Sequence, residues 1–116
     1  KNGCKLLVVG EPSIHSPNLE KDELSLMTSV YYPTQPVPGK GVGHRVRPET
    51  IALELKRFYE EASNYCGQNG IEWVNLYGRI PQTVEHFLSE TDVTDLGASE
   101  MADKLMPPVI NIINGL

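Results

Sequence analysis

Residues 48–76 read PETIALELKR FYEEASNYCG QNGIEWVNL, and this stretch decides the fold. Pro48 suits the first turn of a helix, and Glu49 beside it favours the positive end of the helix dipole. Ile51, Leu55, Phe58, Tyr59, Ala62, Tyr65 and Cys66 then recur at 3.6-residue spacing, which predicts one wide apolar stripe turned toward a core. The aromatic residues fall in phase with the aliphatic ones, so they read as core rather than as a ligand surface. Gly67 or Gly70 supplies the left-handed stop, and Ile71 to Leu76 follows as a short strand.

Working outward, Lys5-Leu6-Leu7-Val8-Val9 is a nearly continuous apolar run ending at Gly10, the pattern of a strand buried on both faces of a parallel sheet. Strand, crossover helix and strand make a right-handed βαβ unit, so Leu6–Val9 and Ile71–Leu76 are expected to run parallel as neighbours or near-neighbours. Downstream, Pro81 opens a predicted short helical segment through Leu88. Thr94 or Asp95 caps a last helix whose stripe is Met101, Ala102, Leu105, Met106, Val109, Ile110 and Ile113. Pro107 and Pro108 lack the donors a helix interior needs and are expected to kink or restart it. The class is therefore α/β with a parallel sheet. Two strands fall short of the five or six or so of a doubly wound sheet, and the apolar surface they leave requires a partner.

Residues 11–48 form a long excursion carrying Pro12, Pro17, Pro33, Pro36, Pro38 and Pro48. Within it, Lys21 to Tyr32 has the spacing for one or two helical turns, with Leu24, Met27 and Val30 or Tyr31 on one side. The segment PGKGVGH, residues 38–44, does not match a phosphate-binding GxxxxGK[ST] loop and follows no strand, so it reads as loop.

With 116 residues, 40% of them apolar, the whole chain 1–116 is one unit with one core. A net charge of −5 with scattered basic residues excludes a phosphate-backbone partner such as nucleic acid. No apolar run approaches the roughly 18 residues of a membrane span, and the start leads into a strand instead of a signal peptide. A chain that opens on Lys1 is expected to be processed or part of a longer polypeptide. Cys4 and Cys66, without CxxC or histidine spacing, read as buried free thiols; a bridge between them would imply an oxidising compartment. Glu90, Asp92 and Asp95 read as helix-cap and dipole residues, because a hard-cation site needs more oxygen ligands and a defining glycine turn. Neither a metal nor a cofactor is implied.

The order of features from Leu6 to Leu116 resembles the C-terminal half of an SGNH (GDSL-type) hydrolase domain. The matching features are a strand ending in Gly10-Glu11-Pro12-Ser13, a variable loop, and a helix ending near Asn69-Gly70. After these come Ile71-Glu72-Trp73-Val74-Asn75-Leu76, Phe87-Leu88, and a last helix with Gly97 and Met101-Ala102-Asp103-Lys104-Leu105. The resemblance implies a three-layer, flavodoxin-like α/β/α sandwich that cleaves acyl or carbohydrate esters. In that family the nucleophilic serine lies in an N-terminal Gly-Asp-Ser block, with oxyanion donors from two further blocks; none of these is present here. The remaining catalytic pair is an Asp-x-x-His ahead of the last helix.

Anchoring on Gly97 and Ala102 sets Ser89 where the family has Asp and Asp92 where it has His, so the motif is degenerate and no catalytic residue is retained. The change matters because a carboxylate, titrating near pH ~4, is a far poorer base for a serine hydroxyl than imidazole near ~6.5. His86 is the weak alternative, six residues before the expected position with no acidic residue three before it. His15 and His44 read as surface loop residues. The expectation is part of an ester hydrolase domain, inactive as this chain alone. Its partner would be the missing N-terminal half or a second copy. The alternatives are a non-catalytic SGNH-like binding or scaffold module, and an unrelated small α/β domain that oligomerises.

Overall fold

The structure, a computed structural model, describes residues 4–27 and 47–116. Its elements run β1 (Leu7–Gly10), α1 (Lys21–Ser25), α2 (Pro48–Gln68), β2 (Glu72–Asn75) and α3 (Asp95–Asn114). β1 and β2 pair in parallel with Leu7 opposite Glu72 and Gly10 opposite Asn75, as the βαβ reading requires. Among the described residues the sheet has these two strands, so the chain is mixed α/β. β1 is more open than a strand inside a parallel sheet: Val9 is 40% exposed and Leu6 beside it 59%.

α2 starts at Pro48 and stops at Asn69, after which Gly70 turns the chain with φ 65°. Its buried residues are Pro48, Ala52, Tyr59 and Cys66. Tyr59 joins the helix to β2: its ring lies 6.1 Å from Trp73 and 5.7 Å from Tyr77, and its hydroxyl donates to the Glu11 carbonyl at 3.2 Å. The stripe is thus narrower than the periodicity implies. Phe58 and Tyr65 are exposed, because β2 and the loop after β1 cover only the flank carrying Ala52, Tyr59 and Cys66. Cys66 is buried and free, whereas Cys4 is free but exposed, contrary to the expectation of two buried thiols.

Among the described residues a hydrophobic core cluster gathers in the segments that follow the carboxyl ends of the strands. Ile14, Met27, Ile80 and Phe87 bury each other there, with Leu24, Ile51, Val93 and Met101 packed around them. α1 contributes through Leu24 and the following Met27; Val30 and Tyr31, assigned to the same side by spacing, lie outside the described residues, as does the glycine-rich segment 38–44.

Residues 81–88 are not a helix. A single turn, with the His86 and Phe87 amides donating to the Thr83 carbonyl, gives way to an antiparallel bridge between Phe87 and Val93. The bridge seats Phe87 in the core, a position a continued helix would not deliver.

Thr94 caps α3, its hydroxyl accepting the Gly97 amide at 3.2 Å. Pro107 and Pro108 lie inside one continuous helix, so of the expected kink or restart there is no restart. The missing proline N–H groups remove the helical partners of the Asp103 and Lys104 carbonyls, and the helix absorbs this with no restart. The face predicted to be apolar core is only half covered: Met101 and Leu105 are partly buried, but Met106, Val109, Ile110 and Ile113 are exposed.

Candidate functional site

In open α/β sheets, ligand sites form outside the carboxyl ends of the strands. That region here is built from the loop after β1 and the segment from Tyr77 to Thr94. The two are tied by a backbone bond, the Ile14 amide donating to the Glu90 carbonyl at 3.0 Å. Ile14 has no exposure, so the loop enters the core and carries its neighbours Ser13 and His15 inside with it.

Ser13 Oγ lies 2.6 Å from His15 Nδ1, and the His15 amide also donates to Ser13 Oγ at 3.3 Å. The carbonyls of both residues accept from Gln82 Nε2, at 2.8 and 2.7 Å. Tyr77 donates its hydroxyl to the His15 carbonyl at 2.9 Å. Burial pushes the Tyr77 hydroxyl above its ordinary value, so it remains a donor throughout the neutral range. His15 is 6% exposed, and among the described residues its Nε2 has no hydrogen-bond partner. Burial pushes this imidazole below its ordinary value, against the opposing field of Glu90.

The second group lies further along the same segment. Ser89 donates its hydroxyl to Asp92 Oδ2 at 2.8 Å, the Asp92 amide returns to Ser89 Oγ at 3.2 Å, and the Leu88 amide donates to the Asp92 carbonyl at 2.8 Å. Ser89 and Asp92 are therefore in direct contact, in a tight turn at the surface. His86, the weak alternative base, is separate from both: it is buried, on the turn that replaces the expected 81–88 helix, and its Nδ1 lies 2.9 Å from Thr83 Oγ1. His44 lies outside the described residues.

A carboxylate beside Ser89 is the weaker type of base. At Ser13 the neighbouring backbone donors are already committed, Ile14 to Glu90 and His15 to Ser13 itself, leaving none of these for a developing oxyanion. Among the described residues no cluster of three or more His, Cys, Asp or Glu side chains could hold a metal, and no helix is long and apolar enough to cross a membrane. A cleft of about 410 Å³ opens at the amino ends of the strands, between Lys5, Glu72 and Asn111, on the side of the sheet opposite to this corner.

Reasoning from sequence placed His15 on the surface, and the burial of the Ser13–His15 pair was the feature it missed. The available signal was Ile14, an isolated apolar residue two positions after a proline. Comparison with family models, curated proteins and solved structures returned no match.

Proposed function

We propose that this chain is the C-terminal part of an SGNH-type ester hydrolase domain, a three-layer α/β/α unit whose substrate class is acyl or carbohydrate esters, and that alone it has no hydrolytic activity. The observation that carries the reading is the Ser89–Asp92 contact. The two positions matched to the catalytic Asp and His meet at 2.8 Å, one turn before a capped helix and beyond the carboxyl end of a parallel βαβ unit. The same contact supports loss of chemistry at this pair, because serine and aspartate cannot act as the acid–base couple of a serine hydrolase.

The chain should not hydrolyse p-nitrophenyl acetate above the buffer rate, and Asp92→Ala should leave that null result unchanged. Restoring the pair with Ser89→Asp and Asp92→His should also give no turnover until a polypeptide bearing the Gly-Asp-Ser block is supplied. Turnover by the unmodified chain that Asp92→Ala abolishes would overturn both the register and the family reading.

Completion of the sheet is the second part of the proposal. β1 has the composition of an inner strand but leaves Leu6 and Val9 open, and α3 leaves Met106, Ile110 and Ile113 open. An N-terminal half adding strands beside β1 would cover the first, and a further element or a second copy the α3 face. Without it, self-association is expected: sedimentation velocity at micromolar concentration should show species larger than a monomer, shifting toward monomer in an Ile110→Lys, Ile113→Glu variant. A compact monomer with one cooperative unfolding transition would instead favour an unrelated small α/β domain.

A further inference from the structure

We propose that His15 is a proton-operated latch: neutral, it closes the loop after β1 onto the 77–94 segment, and protonated, it releases that loop from the corner at the carboxyl ends of the strands. The proposal is independent of the family reading and rests on four observations. His15 is almost fully buried, its Nδ1 is occupied by Ser13, and its Nε2 has no partner among the described residues. The backbone around it is held from outside the loop by Gln82, Tyr77 and Glu90. An imidazolium must donate from both ring nitrogens. Among the described residues Nε2 meets no acceptor here, whereas water satisfies it once residues 13–15 leave.

The groups around His15 set the sign. Among the described residues, the Glu90 carboxylate on the facing segment favours the charged imidazole, but less strongly than burial disfavours it. Tyr77 meets the His15 carbonyl as a neutral donor, and Tyr59, whose hydroxyl is pushed up by burial, is likewise neutral. The closed loop therefore binds a proton less readily than the open one. Its stability is complete above the open-state value of about 6.5 and falls as pH drops below it, by up to about tenfold in the closing equilibrium per pH unit.

Amide hydrogen exchange reads this directly, because the Ile14 amide donates across the latch to Glu90 and the Leu76 amide donates to Gly10 within the βαβ unit. Between about pH 7.5 and 5.5 the protection factor of Ile14, corrected for intrinsic exchange, should fall several-fold while that of Leu76 holds. In His15→Gln the Ile14 dependence should vanish. The ring of His15, followed by its own NMR signal in the unmodified protein, should titrate below 6.5, and this measurement stands even if His15→Gln does not fold. A flat Ile14 profile, an equal fall at Leu76, an unchanged fall in His15→Gln, or titration of His15 at or above 6.5 would each overturn the latch.

Discussion

Gly97→Ala should destabilise the chain by about 3 kcal/mol, seen as a lower urea midpoint at unchanged slope. Gly97 is buried in the first turn of α3, where its amide caps on Thr94. A Cβ there would fall on the His86 carbonyl oxygen and 2.8 Å from Val93 Cβ. Neither obstacle is the free end of a flexible side chain. The His86 carbonyl also accepts the Thr94 amide at 3.0 Å, so relief of the clash breaks either that bond or the docking of α3. Helix propensity pulls the other way, since alanine is favoured over glycine by about 1 kcal/mol in a helix interior. The sign of the effect therefore decides the packing. If Gly97→Ala raised the midpoint, α3 would not dock against residues 86–93.

Phe87→Ala should cost about 3–5 kcal/mol, a large share of the roughly 5–15 kcal/mol that holds a small domain together. Phe87 is 1% exposed and packs with Ile14, Met27 and Ile80. Removing its ring would leave a cavity at the centre of the cluster, where the Phe87–Val93 bridge limits collapse. The chain has one other phenylalanine, Phe58, which supplies the control. Phe58 is 65% exposed, so Phe58→Ala should change stability by less than about 1 kcal/mol. Helical periodicity assigns Phe58 to the core. Equal losses in the two variants would support that assignment and contradict the structure.

The two phenylalanines mark where the sequence becomes insufficient. Periodicity states which side chains share a face of α2, and Ile51, Leu55, Tyr59, Ala62 and Cys66 do share one. It does not state how far a neighbouring element reaches across that face, so Phe58 and Tyr65 at its margin were misplaced. At residues 81–88 the composition permits a helix, but pairing of Phe87 with Val93 and burial of the phenyl ring outweigh a weak local preference.

The candidate site follows the same division. The sequence places Ser89 and Asp92 three residues apart ahead of the last helix, a separation at which Ser and Asp bond locally, but their contact itself is a finding of the structure. The Ser13–His15 pair was not legible, because its burial depends on Gln82 and Tyr77, more than sixty residues away in sequence.

By itself, then, the sequence determined the parallel βαβ unit, the Pro48 start of α2 and a cap for α3 at Thr94 or Asp95, which the structure settles on Thr94; these are properties of local backbone preference and of one strand–helix–strand connection. Only the tertiary structure decided that the core gathers beyond the strand ends around Phe87 and that His15 lies inside it. The physical reason is that burial depends on which distant segments converge. At this corner they converge through Ile14 and its backbone bond to Glu90, for which no local pattern codes.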